Sequence, residues 1–463
     1  MILLKPNFKK EVSAMKRLFV LVVAAMLLVS FTACKKAPEK AAQEAIKVGI
    51  VLPLTGKHAK FGEIEKQSFE MAAEEINAQG GVNGRKLELL IEDTQGKPDV
   101  GRSAVEKLIT QDKVVLLGGG YSSSVTYAAA GVAVNKGFPF LVNTGSADKI
   151  TEPSSFTPSG QRADNLSKKL KDEEDAAKKA ELEKEVADLN KKAEGEAKDL
   201  MARFSIFRLN PPVSEYASGL EGFLAEVVKP KTAVILNENS LFGTKGAKAF
   251  EKSCQKLNIK VLMKESYDAG AVDFKPLLAK VKQANPDVVY MISYLLDASL
   301  LMRQSMELKM NPKLFAGAAA GFTLPEFPQN AGKAAEKVVS ATLWHQSLAI
   351  PGAQEYFDNF KKKFNKDTEY HGAEAYSAAY VIADVLKRAK SHSPADIKQA
   401  LSETDMKTVF GPVKFISYGK KINQNKLQTY VVQWIDGKLE MIWPEELASK
   451  KYVYPIDWIK ERQ

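Results

Sequence analysis

A chain of 463 residues that is 45% hydrophobic and 26% charged is globular and long enough for two or three domains. Its net charge of +10 falls to +6 once the first 33 residues are set aside (Lys5, Lys9, Lys10, Lys16 and Arg17 against Glu11), and no basic stripe with interleaved aromatics remains, which excludes nucleic acid as a partner. Cys34 and Cys254 sit in unlike contexts, so no disulfide framework is implied.

Met15-Lys16-Arg17 followed by the uncharged run Leu18 to Ala33 reads as a secretion signal, too short for a comfortable span of ~20 residues. It closes on Phe31-Thr32-Ala33-Cys34, which resembles the bacterial lipobox, so residues 1–33 are expected to be a lipoprotein signal peptide and Cys34 the lipid-attachment site. Translation is expected to start at Met15. Residues 34–45 form a polar tether of roughly 18 Å average reach.

Ile46 to Leu52 is the first strand, with a helix from about Glu63 to Ala78, a turn cluster at Asn77 to Arg85, a strand over Lys86 to Asp93 and a helix over Pro98 to Gln111. The stretch VVLLGGGYSSSVTYAAAGVAVNKGFPFLVNTGSADKIT, Val114 to Thr151, organises the chain: a buried strand at Val114 to Leu117, a glycine turn at Gly118 to Gly120, a helix opened by Ser122 to Ser124, then a strand and a second polar turn. Two small-residue loops thus meet at the carboxyl ends of parallel strands, where open α/β sheets bind ligands. The three serines suit either a helix cap or a site for a carboxylate or phosphate.

Residues 164–199 interrupt the alternation with a segment dense in Lys, Asp and Glu that lacks aromatics and proline. Its i,i+4 pairs and the seam Leu182, Val186, Leu189 and Ala193 predict a helical hairpin whose longer arm starts at the acidic cluster Asp172 to Asp175. It is either a solvated charged element or a coiled-coil-like docking arm. Beyond it, strands at Arg203 to Leu209, Ala233 to Leu236, Lys260 to Glu265, Asp287 to Ser293, Leu314 to Ala316 and Val338 to Thr342 alternate with helices, and a hairpin-rich region closes the chain. The fold class is α/β, with two doubly wound parallel-sheet lobes and a helical hairpin insertion.

The motifs IKVGIVLPLTG, NAQGGVNGRKLELLIEDTQ, the glycine-serine turn at 118–124, PFLVNTGSADKIT and LFGTKG at 241–246 resemble, in order, the type I periplasmic binding proteins of the leucine/isoleucine/valine-binding family. The resemblance spans nearly all of residues 46–443 except the hairpin. It implies lobes joined by three crossovers, near Arg208 to Asn210, Val338 to Thr342 and Asn425 to Tyr430. It divides the chain into a first lobe (46–209 and 341–425) and a second lobe (210–340 and 426–463). It further implies a small-molecule ligand, an amino acid or organic acid, closed between the lobes and passed to ABC permease subunits, at the periplasmic or extracellular face of a bacterial membrane. A sensor that signals to a membrane partner without transport is the alternative.

Carried over by resemblance, the pocket falls on Phe61, Tyr121, Ser122, Ser123, Thr144, Gly145 and Ser146 of the first lobe and Phe242, Tyr294 and Ala319 of the second. The family's first-lobe disulfide is missing, and alanine stands in the Ala318 to Ala320 turn where the family places its ammonium-binding carboxylate. The expected ligand therefore has a carboxylate or amide head and no required positive amine, with Asp297 or Glu238 as substitutes should an amino acid bind. No cofactor or metal is implied, since His58, His345, His371 and His392 stand singly. No HExxH or GxSxG motif supports an enzyme.

Overall fold

The computed structural model of the protein describes residues 44–461, so the signal segment, Cys34 and the tether up to residue 43 lie outside the described residues. In the first lobe β1 (Ile46–Leu52), α1 (Ala59–Ala78), β2 (Leu87–Asp93), α2 (Pro98–Thr110), β3 (Leu116–Gly119), α3 (Ser123–Lys136) and β4 (Phe140–Val142) alternate. A hairpin of α4 (Pro158–Asp172) and α5 (Ala176–Leu200) precedes β5 (Ile206–Arg208). The second lobe continues with α6 (Ser218–Phe223), β6 (Thr232–Glu238), α7 (Leu241–Lys256), β7 (Lys260–Tyr267), α8 (Lys275–Ala284), β8 (Val288–Ile292), α9 (Leu295–Glu307), β9 (Leu314–Gly317), α10 (Glu326–Ala331) and β10 (Val339–Thr342). The chain returns to the first lobe through α11 (Ala353–Phe364), α12 (Tyr370–Arg388), α13 (Pro394–Ser402), β11 (Asp405–Thr408), β12 (Gly411–Lys414), β13 (Ile416–Tyr418) and β14 (Lys421–Gln424). It ends in the second with β15 (Tyr430–Ile435), β16 (Lys438–Trp443) and α14 (Trp458–Glu461).

The parallel cores run β2-β1-β3-β4-β5 and β7-β6-β8-β9-β10, the same doubly wound order twice, and each seven-stranded sheet is completed by two late strands. β14 joins β5 in parallel, whereas β15 lies antiparallel to β10. The chain passes between the sheets three times: after β5, after β10, and between β14 and β15. β1 is buried almost throughout because helices cover both faces of its sheet; each fully buried Val, Leu or Ile contributes about 1.5–3 kcal/mol.

β3 begins two residues later than the hydrophobic run suggests and takes Gly118 and Gly119 into the sheet, paired with Ile50 and Val51 of β1. Gly119 has φ +95°, and a Cβ there would lie 2.6 Å from the Val51 carbonyl oxygen, so glycine is what lets this strand turn against its neighbour. α3 ends at Gly137 in the left-handed conformation.

The charged segment forms the α4–α5 hairpin, with Asp175 accepting from the backbone N–H of Ala177 and Lys178 at the start of α5. Its base is not solvated. Ala193 and Leu200 are buried, Glu196 accepts from the Ser159 N–H and hydroxyl, and Asp164 pairs with Lys149. Cys254 is a buried free thiol on α7.

Candidate functional site

The carboxyl ends of β3 and β4 in one lobe and of β6, β8 and β9 in the other face each other across a cleft, and the lobes meet there. Across it the Leu241 N–H donates to Ser124 Oγ (3.3 Å), the Ala320 N–H to the Tyr370 hydroxyl (3.0 Å) and the Thr323 hydroxyl to Glu369 (3.2 Å). The His58 ring packs 4.2 Å from that of Tyr294. A small cavity of about 20 Å³, nearly filled by its own walls, lies between the lobes, lined by Tyr121, Ser123, Thr144, Ser146, Tyr216, Phe242, Tyr294, Ala320, Tyr370 and His371.

Six of the ten residues proposed from the sequence line this cavity: Tyr121, Ser123, Thr144, Ser146, Phe242 and Tyr294. Phe61 lies one layer behind, its ring stacked on Tyr121 at 4.5 Å. Gly145 packs against Thr126, where a Cβ would come within 2.6 Å of the hydroxyl. Ser122 is the N-cap residue of α3 but makes no capping bond through its side chain. In the alanine turn it is Ala320 rather than Ala319 that reaches the cavity. Ala319 instead takes the strained part, with φ +56° and ψ −137°, a region few residues other than glycine occupy. That backbone aims the Ala319 N–H at Ser340 and the Ala320 N–H at Tyr370.

What each polar group has left to offer follows from its bonds already made. A hydroxyl has one hydrogen to donate and two lone pairs. Ser123 Oγ accepts from the N–H of Ser146 (3.2 Å) and of Ala147 (3.0 Å), so only its hydrogen remains. The Tyr370 oxygen accepts from Ala320, again leaving its hydrogen, and the buried Tyr121 hydroxyl has no protein partner. Burial raises the pKa of both phenols well above the ordinary value, which keeps them protonated donors.

Thr144 is different. Its hydroxyl accepts from Asn143 Nδ2 (2.9 Å) and lies 2.7 Å from Glu65 Oε1 and 2.8 Å from Glu374 Oε2, which saturates it. With a single hydrogen it can donate to only one of those carboxyls, so the other must donate to it: the buried pair Glu65–Glu374 holds a proton. Burial, partly opposed by His371 and Thr144, pushes Glu65 up to about 7, and burial pushes Glu374 up as well. Ser123 thus retains only a hydrogen toward the cavity, and Tyr121 and Tyr370 each retain one as well, which suits a ligand that presents acceptors.

The substitutes considered for an ammonium partner are engaged elsewhere. Glu238 accepts from the Ser240 N–H and hydroxyl (2.6 Å each) and from the Gly243 N–H (2.8 Å), capping α7, and Asp297 accepts from the Gly270 N–H (2.9 Å). Neither lines the cavity. Among the described residues no group of three or more His, Cys, Asp or Glu is arranged to hold a metal.

Sequence reading missed Tyr216, Tyr370 and His371, which line the cavity, and His58, which lies at its edge. Two of the four single histidines therefore belong to the site; burial lowers the His58 pKa to about 3 and keeps that ring neutral. Behind the Gly145–Ala147 turn the buried Arg208 donates to the carbonyls of Gly145 (3.2 Å) and Ala147 (2.7 Å) and to Gln424 (2.6 Å). It ties the turn to two of the three crossovers.

The family model described as "Periplasmic binding protein" matches residues 45–174 and 195–438 and leaves most of α5 unmatched. Leu/Ile/Val-binding protein homolog 7 of Brucella suis is 27% identical over 461 residues, covering 95% of this chain and 99% of the relative. Among solved structures, the branched-chain amino acid transporter substrate-binding protein LivJ from Streptococcus pneumoniae, in complex with isoleucine, aligns with TM-score 0.69 at 21% identity, covering 86% of this chain and 99% of that one. An ABC transporter solute-binding protein from R. palustris in complex with benzoate aligns with TM-score 0.67 at 18% identity, covering 86% and 95%. With more than half of its length matched by the family model, on a twice-repeated doubly wound sheet that closes over a small cavity, the chain belongs to the periplasmic binding protein family.

Proposed function

We propose that this protein is the extracytoplasmic solute-binding lipoprotein of an ABC importer of the branched-chain-amino-acid type, and that it closes its lobes on a small acid with an aromatic or branched aliphatic body. The observation that carries the reading is the set of hydrogens left facing the cavity: Ser123, Tyr121 and Tyr370 each have one to give, while the Thr144 hydroxyl is saturated and Glu238 and Asp297 are engaged. A carboxylate uses such donors. An α-ammonium desolvated there without a partner would cost several kcal/mol. The rings of Tyr121, Phe242 and Tyr294 supply the apolar wall, with Phe61 stacked behind Tyr121. The benzoate complex of the R. palustris neighbour supports a ligand of this kind on this fold, and the isoleucine complex of LivJ keeps the amino acid as the competing outcome.

The test is calorimetric titration of leucine and phenylalanine against 4-methylpentanoate and 3-phenylpropanoate. The acids should bind at least as well as the amino acids. Tight amino-acid binding with a loss of at least ~100-fold for the acids, about 2.7 kcal/mol, would defeat the reading.

A further inference from the structure

We propose that His371 is the ionic partner of the ligand, binding its carboxylate through Nε2 as an imidazolium whose Nδ1 is held by Glu369. The inference rests on the reading of the ligand as a small acid and adds the residue that neutralises it.

Charge accounting leads to this residue. A carboxylate sealed between the lobes leaves water, and neutral donors alone compensate that loss poorly. Of the side chains that line the cavity, His371 is the one able to carry positive charge. Arg208 is buried behind the Gly145–Ala147 turn, with its guanidinium spent on backbone carbonyls, Gln424 and Thr151.

The second observation is the carboxylate behind the ring. Glu369, the N-cap of α12, is buried; its Oε1 lies 2.7 Å from His371 Nδ1 and accepts the His371 N–H at 3.2 Å. Its Oε2 accepts the hydroxyl of Thr323, which comes from the opposite lobe. Among the described residues the ion-pair partner of Glu369 is His371, so the ring gives Nδ1–H to Glu369 and is left with Nε2. A ligand carboxylate can be bound there only by Nε2–H, and a ring donating from both nitrogens is an imidazolium. The resulting row is ligand carboxylate, imidazolium and Glu369 carboxylate, built on a ring already oriented by Glu369. Tyr370, stacked on the ring at 3.9 Å, fixes its plane, and the rings of Phe61 (5.0 Å) and Tyr121 (5.4 Å) cover its edges. The other titratable group that feels its charge is Glu65, whose proton is shared with Glu374 through Thr144. Because Thr323 reaches Glu369 across the cleft, the dyad is fully held when the lobes are together.

The experiment compares acids with their neutral amides: benzoate, 3-phenylpropanoate and 4-methylpentanoate against the corresponding primary amides, titrated calorimetrically into wild type, His371→Gln and Glu369→Gln. Glutamine at 371 keeps an amide donor but no charge, so the ratio of acid to amide affinity should fall by ~30-fold or more, as expected on removing one partner of a desolvated charge pair. Glu369→Gln leaves the ring in place without its counter-charge and should lower the same ratio by a smaller factor, which keeps the assignment testable if the first variant does not fold. An acid that binds wild type and keeps its ratio in the variant that folds overturns the assignment and leaves the acid reading standing. Failure of all three acids to bind wild type overturns both.

Discussion

At the scale of single residues the buried Glu65–Thr144–Glu374 bridge makes a prediction about pH. The folded-state value of Glu65, about 7, lies above its ordinary value of 4.5, because burial disfavours the charged form. Between those values the native protein binds more protons than the unfolded chain, so stability falls as pH rises from about 4.5 to about 7 and is flat above. In Glu65→Gln an amide N–H takes over the bond to Thr144 and no proton need be held. The variant should gain ~3 kcal/mol over wild type at pH 8 and little at pH 4.5, as read from urea midpoints at the two pH values. A variant less stable than wild type at pH 8 would show that burial does not penalise the charged form of Glu65. The same bridge decides a question of specificity, because it removes the Thr144 hydroxyl from the groups open to a ligand.

At the scale of elements the α4–α5 hairpin divides into a packed base and a distal arm. Lys149–Asp164 and the bonds of Ser159 to Glu196 fasten the base, and Lys420 pairs with Glu194, whereas the residues from Asp175 to Lys184 on α5 are mostly exposed. Excising 164–199 would cut those fastenings. Replacing 168–187 with a short Gly/Ser link crosses both helices at one level and spares them. The truncated protein should bind the acid chosen by wild type within ~3-fold, under 1 kcal/mol, since none of the removed residues lines the cleft cavity. A loss beyond ~10-fold in the same titration would mean that the distal arm supports the cleft. If the arm docks a membrane partner, complex formation should be lost while binding persists.

At the scale of the whole molecule, the Gly145–Ala147 turn is tied to the segments that cross between the lobes. Arg208 ties the Gly145–Ala147 turn to Gln424, and Asn425 donates to the Leu209 carbonyl (3.1 Å), so two of the three crossovers hold the turn that borders the cavity. At the other end, Thr32-Ala33-Cys34 closes an apolar run, which predicts attachment at Cys34. Cys34→Ser should move the protein from the detergent phase to the aqueous phase in partitioning, or block its maturation. Undiminished membrane association of the variant would rule the anchor out.

The sequence by itself determined the alternation of strand and helix, because periodicity and turn residues are local. It also determined the glycine turn after β3, because a strand that turns this closely against its neighbour needs glycine, as the Gly119 conformation shows. That the alanine turn lacks a carboxylate is plain in the residues, but that the position matters came from the family resemblance alone. Only the tertiary structure decided that His371, Tyr370 and Tyr216 line the cavity, that Glu65 and Glu374 converge on the Thr144 hydroxyl, and that Glu238 is engaged at a helix cap. Glu65 lies on α1 and Glu374 on α12, about three hundred positions apart in the chain, and on its own helix each reads as one polar residue on a buried face. Their meaning depends on which hydrogen-bonding capacity their neighbours have left, and that is settled only once the helices pack and the lobes close.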